Sequence, residues 1–324
     1  MKKILLAAVA ALAIVGCTQN EEIEKAGEKA EVNFNTIVSK TTRVTPMLTN
    51  DFSTFKVNAY NTGATDMGAE ASLATSFMED VTATKTGDTW GIDKGPFYWP
   101  MTDNIQFFAY SPIGHVTSYA ATKGYPTFSY TVQSVASQED LLVAKVENAT
   151  KAKYGTSGVN LAFAHILTQI NFSAKLEAGA TYTVTKIEIS GANSTGTFTY
   201  GTAATTGTWN VPTGSVASYE YAGKYDAVAD QDVVDFSTGD NALMLLPQTL
   251  SADAKISIDY SVVKGGTTTF SGSKDVSLSG QKWEIGKNLR YTLELSSDAT
   301  EVTFKPTVNE WGSEDAGTTT DPVE

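Results

Sequence analysis

Cysteine is almost absent from this chain of 324 residues, because Cys17 is the only one. A single cysteine cannot form an intrachain disulfide, and it cannot supply the several thiolates of a soft-metal site. The fold must therefore be held by buried cores, and a hydrophobic content of 41% is sufficient to build them. We expect no cofactor and no bound metal.

Histidine is nearly as scarce, since the chain contains only His115 and His165. Neither lies in a His-Glu-x-x-His arrangement, and the sequence has no Gly-x-Ser-x-Gly elbow and no phosphate-binding loop. His165 has apolar neighbours, which is typical of a partly buried, hydrogen-bonded structural histidine. A surface hydrolase would need two converging carboxylates, and the spacing of the acidic residues singles out no such pair. We therefore predict that the protein is not an enzyme.

Positive charge is also limited, and the formal net charge is −13. An acidic chain without a basic cluster repels a phosphate backbone, so we expect no nucleic acid among its partners. Arginine occurs only at Arg43 and Arg290. An arginine-specific protease therefore has only these two positions at which it could cut the chain.

The N-terminus has the pattern of a lipoprotein signal peptide. Lys2 and Lys3 precede an apolar stretch that ends in Ile14-Val15-Gly16-Cys17, and this stretch is too short to remain as a membrane-spanning helix. We predict that residues 1–16 are removed and that Cys17 is lipidated, which anchors the chain to a membrane. A secretory signal with a coincidental cysteine is the alternative. Residues 17–30 are polar and predict a flexible tether.

Most of the remaining sequence alternates apolar and polar residues with a period of two, as half-buried β-strands do. Between residues 181 and 189 the apolar phase slips by one, which predicts a β-bulge. Lys264-Gly265-Gly266-Thr267 predicts a tight hairpin turn, because glycine adopts positive φ without steric cost. Met67 to Met78 is the one helix-like segment.

Many short strands without interleaved helices predict an all-β protein built from antiparallel β-sandwiches. We expect two tandem domains, at residues 31–157 and 158–311, divided near a segment rich in Lys, Gly and Ser. Residues 312–324 form a polar acidic tail. The alternative function is that of a surface glycan-binding lipoprotein of a polysaccharide-uptake system. Such a protein would stack sugars on exposed, coplanar indoles, and the chain has five tryptophans that could provide them.

Several motifs in a characteristic order carry a family resemblance. They are Val32-Asn-Phe34, Thr41-Thr42-Arg43, Phe97-Tyr98-Trp99-Pro100, Ile105 to Pro112, Leu161-Ala-Phe163-Ala-His165, Leu245-Leu246-Pro247-Gln248, Trp283 with Gly286-Lys287 and Tyr291, and Val308-Asn309-Glu310-Trp311. Together with the lipoprotein signal, this order resembles the fimbrillin family of Bacteroidetes over almost the whole mature chain. Thr18 to Glu22 is similar to the acidic signal that exports lipoproteins of that phylum from the outer membrane to the cell surface.

The resemblance implies two transthyretin-like domains in a structural subunit of a surface fimbria that mediates adhesion. In this family an arginine-specific protease removes the lipidated N-terminus together with the first strand. In this sequence the cut would fall after Arg43 and before Val44, so Val32 and Phe34 would leave with that strand. The groove that they leave is filled by a strand of a neighbouring subunit.

The C-terminal strand, Glu301 to Trp311, is the expected donor, with Val302, Phe304 and Val308 as the side chains that fill the groove. The alternative is that this strand completes its own domain. The implied partners are other fimbrial subunits of the same or a different kind, the protease, the outer membrane through the lipid, and a host or bacterial surface glycan or protein. The position of the subunit as stalk, tip or anchor stays open.

Overall fold

The computed structural model describes residues 29–38, 52–202, 206–228, 233–236, 241–300 and 302–311. The predicted signal peptide, Cys17, Arg43, Val44 and the predicted tail 312–324 lie outside these residues. The described part contains no helix that is long and apolar enough to cross a membrane.

Strands dominate the described chain, which confirms the prediction of an all-β protein. The helical elements are a 3₁₀ turn at Val135–Ser137 and one short helix, α1, at Lys151–Tyr154. The strands lie in four sheets.

The first sheet is formed mainly by the N-terminal half of the chain. Its strands are β1 (Phe34–Val38), β2 (Thr54–Asn61), β3 (Ser76–Thr86), β4 (Thr89–Ile92), β5 (Ile105–Ser111), β8 (Leu142–Ala149) and β9 (Val159–His165). Their order across the sheet is β1-β9-β8-β5-β2-β3-β4. β1 is therefore an edge strand, and it runs parallel to β9.

A four-stranded sheet joins strands from both halves of the chain. It contains β6 (Val116–Ala120), β7 (Thr127–Thr131), β12 (Thr195–Tyr200) and β13 (Gly207–Asn210), in the order β13-β12-β7-β6. All three pairings are antiparallel.

Two five-stranded sheets contain the other strands. One has β10 (Thr168–Leu176), β16 (Val234–Asp235), β17 (Leu243–Leu245), β20 (Lys287–Leu295) and β21 (Val302–Glu310), in the order β16-β10-β20-β21 with β17 also paired to β10. The second has β11 (Ala180–Asn193), β14 (Val216–Tyr221), β15 (Tyr225–Val228), β18 (Lys255–Lys264) and β19 (Thr267–Ser277), in the order β14-β11-β18-β19 with β15 also paired to β11.

Of the three local features predicted from the sequence, the hairpin turn and the β-bulge are present in the structure, and the helix is not. The β18–β19 hairpin pairs Lys264 with Thr267, and Gly265 and Gly266 adopt φ of 59° and 78°. The β11–β18 ladder shifts register between Val184 and Lys186, which confirms the predicted bulge. The helix considered over Met67 to Met78 is wrong, because Met78 lies in β3 and pairs with Ala59 of β2.

Two buried cores fill the molecule. The smaller one lies against the first sheet and includes Val32, Phe34, Phe55, Phe107 and Phe163. The larger one is formed by buried residues that are spread along the chain between Tyr60 and Trp311. The sheets cross the predicted domain division after residue 157, because β9 pairs with β1 and β12 pairs with β7. The division into tandem domains stays a prediction.

Candidate functional site

The N-terminal segment lies in a groove between β9 and the loop at 97–99. β1 pairs with β9 over five residues, from Phe34 opposite Val159 to Val38 opposite Phe163. Just before β1, the amide of Val32 donates to the carbonyl of Phe97 at 2.9 Å, and the amide of Trp99 donates to the carbonyl of Ala30 at 3.0 Å. The segment therefore has backbone partners on both sides.

Two side chains of this segment fill an apolar cavity. Val32 is 2% exposed and Phe34 is 5% exposed, whereas Ile37 on the outer face is 65% exposed. The ring of Phe34 meets Phe55 and Phe107 edge-on, with centroids 5.7 and 5.9 Å apart. The period-two alternation of the sequence thus places its apolar residues in the core.

One wall of the groove is β9. Val159, Leu161 and Phe163 of this strand are buried and lie opposite Phe34, Thr36 and Val38 of β1. On its other side β9 pairs with β8 over only two residues, His165 opposite Leu142 and Ala164 opposite Val143. β1 is therefore the larger backbone partner of β9, and its loss would expose both unpaired amides and an apolar trough.

Gly158 allows the close approach of the segment at the start of β9. Its φ is +75°, and a Cβ at this position would lie 3.1 Å from Asn35 Nδ2 and 3.2 Å from the carbonyl oxygen of Asn33. Asn35 Nδ2 in turn donates to the carbonyl of Ser157 at 2.7 Å. The sequence analysis did not identify Gly158, although a glycine directly before a period-two apolar run is a usable signal.

The predicted donor strand, β21, forms the edge of its own sheet and pairs antiparallel with β20 from Leu295–Val302 to Lys287–Glu310. Val302 and Phe304 are half-buried, and Val308 is 48% exposed. The Phe304 ring meets Tyr291 edge-on at 5.1 Å. Within this chain β21 therefore completes its own sheet, but without burying its side chains fully.

Polar contacts add to the attachment of β21. Glu294 of β20 accepts from Thr303 at 3.1 Å and pairs with Lys305 at 3.2 Å. The hydrogen bond from Lys305 lowers the pKa of the Glu294 carboxyl. Lys287 pairs with Glu310 at the far end of the strand. These exposed contacts are individually weak, as surface ion pairs usually are.

The tryptophans do not form the exposed platform that a glycan-binding protein would use. Trp99, Trp283 and Trp311 are at most 7% exposed, and Trp90 and Trp209 are half-buried. Trp209 lies beside a shallow cleft of about 500 Å³, but its Nε1 is engaged with the carbonyl of Ile166 at 2.6 Å. Among the described residues, no three His, Cys, Asp or Glu side chains converge as metal ligands would.

Comparison with known protein families and curated proteins matches this chain to fimbrial proteins. A profile of the family described as Fimbrillin-like matches residues 42–311. The curated protein Fimbrium subunit Fim1C from Phocaeicola vulgatus is 27% identical in an alignment that covers 95% of this chain and 96% of that protein.

Two solved structures share the fold. A fimbrial protein from Bacteroides vulgatus superposes with a TM-score of 0.67 and 18% identity, covering 88% of this chain and all of that one (100%). A candidate cell adhesion protein from Bacteroides uniformis gives a TM-score of 0.54 and 17% identity, with 87% and 98% covered. These relatives are described as fimbrial and adhesion proteins and not as enzymes.

Proposed function

Because the chain belongs to the fimbrillin-like family, we propose that it is a structural subunit of a cell-surface fimbria that assembles by β-strand exchange. The observation that carries this proposal is the position of β1. It is an edge strand on β9, Phe34 within it and Val32 just before it are buried, and Arg43 follows it in the sequence. Loss of β1 would leave a groove that another extended strand completes at low cost.

Proteolysis after Arg43, before Val44, would separate β1 from the rest of the chain. The other arginine is a poor competitor for the protease, because Arg290 lies in the middle of β20 with neighbours on both sides. Its side chain is 15% exposed and pairs with Asp235 at 2.5 Å. A protease needs an accessible, extendable segment, so an arginine-specific enzyme would cut at Arg43 first.

The C-terminal strand β21 would supply the donor for the next subunit. It lies at a sheet edge, and its apolar residues Val302, Phe304 and Val308 alternate with polar ones in the pattern that the groove requires. Lipidation at Cys17 would hold the precursor in the outer membrane at the cell surface before cleavage. The assembled fimbria would then mediate adhesion to a host or bacterial surface.

The experiment that tests this function is cleavage of the purified precursor by an arginine-specific protease. Native gels and electron microscopy follow the products, with Arg43→Lys and Arg290→Lys as matched variants. We expect wild type and Arg290→Lys to be cut after Arg43 and to form SDS-resistant ladders or filaments, while Arg43→Lys does neither. Complete cleavage and release of the segment that ends at Arg43, without any assembly, would contradict a polymerising subunit.

A further inference from the structure

Two strands of the C-terminal half of the chain lie on the N-terminal half. β12 and β13 pair antiparallel with each other, and we call residues 195–210 the clasp. β12 also pairs with β7, from Thr195 opposite Thr131 to Thr199 opposite Thr127. Backbone hydrogen bonds extend this ladder by one residue at each end. The clasp is therefore a full strand partner of the N-terminal half.

The clasp covers an aromatic face of the first sheet. β5 is buried along its whole length, because one of its faces lines the smaller core while Phe108 and Tyr110 line the larger one. The ring of Phe108 meets the ring of Tyr200 in the clasp, with centroids 5.1 Å apart. Phe198 of the clasp packs on Phe128 of β7 at 5.2 Å. Without the clasp, part of this aromatic face would be exposed to water, which is unfavourable.

Two polar side chains attach the clasp to the first sheet. The buried hydroxyl of Tyr200 donates to the carbonyl of Ala109 in β5 at 2.8 Å. The ammonium group of Lys145 in β8 donates to the carbonyl of Gly201 at 2.5 Å and to that of Thr202. The Lys145 side chain is only 15% exposed, so water screens these contacts little. Each of the two side chains therefore joins the two halves of the chain.

The clasp is inserted between two strands that pair with each other directly. It lies between β11 and β14 in the chain, and these strands pair up to Asn193 opposite Val216. Beyond this pair, the amide of Ser194 donates to the carbonyl of Ser215 at 2.7 Å. A two-residue turn could therefore close this sheet without residues 195–214. The sheet of β11 and β14 does not depend on the clasp, whereas the aromatic face of the first sheet does.

We infer that the clasp is the part of the C-terminal half that completes the fold of the N-terminal half. The dependence is one-sided, so loss of the clasp opens β5 and β7 while β11 and β18 remain paired. The first half of the chain then reaches its final fold only after residues 195–210 have been synthesised. The clasp is also a second connection between the halves, besides the covalent one between β9 and β10, so it fixes their relative orientation. This inference does not depend on assembly into a fimbria.

Excision of the clasp from the full chain tests this dependence. Residues 195–214 are replaced by Asn-Gly, a pair that favours the two-residue turn required between Ser194 and Ser215. Hydrogen exchange followed by mass spectrometry then compares the strands of the two halves. We expect the amides of β5 and β7 to exchange at least about a hundredfold faster than in wild type, and those of β11 and β18 to change by less than about fivefold.

Two results of the excision would overturn the inference. Exchange in β5 and β7 that stays as slow as in wild type would show that the first sheet is complete without the clasp. Exchange that accelerates equally in β11 and β18 would show that the dependence is not one-sided.

A peptide of residues 194–211 tests whether the aromatic face binds the clasp. Added in excess to the excised chain, it should restore slow exchange in β5 and β7, because an isolated hairpin is only marginally stable and becomes ordered on an apolar face. The matched control is the same peptide with Phe198→Ala, which lacks the ring that packs on Phe128. It should be needed at least about tenfold more concentrated for the same protection. No restoration by the unaltered peptide, or equal restoration by both peptides, would overturn the inference.

Point variants test the same attachment in a chain of natural length. Tyr200→Phe removes the hydroxyl that donates to Ala109, and Lys145→Met removes the ammonium group that binds the end of β12. The double variant should accelerate exchange in β5 and β7 at least about fivefold, as loss of a buried hydrogen bond does. Lys186→Met is the matched control, because Lys186 pairs with Glu188 of the same strand at 3.0 Å, and it should leave β5 and β7 unchanged. Equal exchange in the double variant and the control would overturn the inference.

Discussion

The indole of Trp311 lies flat on the imidazole of His165, with ring centroids 4.5 Å apart and planes 6° apart. His165 is the last residue of β9, and Trp311 directly follows β21. The amide of Trp311 also donates to the carbonyl of Gly286 at 3.3 Å. The strand that forms one wall of the groove and the end of the proposed donor strand are thus in direct contact.

Asp140 fixes this contact from the other side. Nδ1 of His165 donates to Asp140 Oδ2 at 2.6 Å, and both side chains are at most 3% exposed. The imidazole therefore has one orientation, and the indole stacks on a rigid surface. β21 cannot leave its sheet without breaking this stack, so we regard the contact as the attachment that holds the strand end within its own chain.

Trp311→Ala should loosen β21. Loss of a buried indole costs about 3 kcal/mol of unfolding free energy, and hydrogen exchange at the amides of residues 302–310 should accelerate before the rest of the molecule is affected. Trp311→Phe is the matched variant, because Trp311 Nε1 has no hydrogen-bond partner among the described residues. It should retain most of the stability in chemical denaturation. Unchanged exchange in Trp311→Ala would show that the stack does not hold the strand.

Much of the local structure follows from the sequence alone. The period-two runs, the bulge near Val184 and the hairpin at 264–267 each depend on neighbouring residues, so a short window contains the information. His165 is also as expected, a buried histidine with a hydrogen-bond partner. Met67 to Met78 misled the helix assignment, because Ala, Leu and Met content is only a weak preference. At the end of this segment, Ser76 and Met78 pair with Tyr60 and Ala59 of β2 instead.

Long-range pairings could not be predicted in the same way. The pairing of Phe34 with Val159 joins residues that are far apart in the chain, and no local pattern specifies a parallel register between them. The same is true of the contact of Trp311 with His165, since neither residue indicates its partner. Val32 and Phe34 were predictable as buried residues, but the groove wall at 97–99 was not.

Phe34→Ala should destabilise the uncleaved chain by about 3 to 5 kcal/mol, because it empties the cavity between Phe55 and Phe107. Ile37→Ala on the exposed face of the same strand is the matched control and should change stability by less than about 0.5 kcal/mol. Urea denaturation measures both. After cleavage at Arg43 the two proteins should assemble equally, since the altered residue has departed. A lasting assembly defect in Phe34→Ala would argue against departure of β1.

Gly158→Ala should weaken the attachment of any strand in the groove. A non-glycine residue at φ +75° costs about 1 to 2 kcal/mol, and the new Cβ would press on Asn33 and Asn35. Gly280→Ala is the control, because its φ is +77° and no described residue lies within 4 Å of a Cβ at this position. In urea Gly280→Ala should lose stability by the backbone strain alone, and Gly158→Ala should lose more because its Cβ also presses on the neighbouring segment. Only Gly158→Ala should accelerate hydrogen exchange at residues 34–38. Equal exchange rates in the two variants would show that the groove accommodates a Cβ at position 158 without displacing the strand.

Acid should destabilise the C-terminal sheets through Glu177. Its carboxylate accepts from Lys264 at 2.7 Å and from the amide of Ser297 at 2.9 Å. The hydrogen bond from Lys264, followed by those from Ser297, lowers the pKa of Glu177 from 4.5 to about 2. Between these values the folded chain binds fewer protons than the unfolded chain, so this stabilisation is present above about pH 4.5 and is lost as the pH falls toward 2.

Glu177→Gln should therefore melt below wild type at pH 7, and the difference in melting temperature should shrink as the pH falls from 4.5 to 2. Lys264→Gln removes the main cause of the lowered pKa, so it should reproduce the same convergence. Melting curves of the three proteins at closely spaced pH values measure the effect. A difference that stays constant down to pH 2 would show that the carboxylate acts only by packing, and that the charge on Glu177 contributes nothing to the stability of the fold.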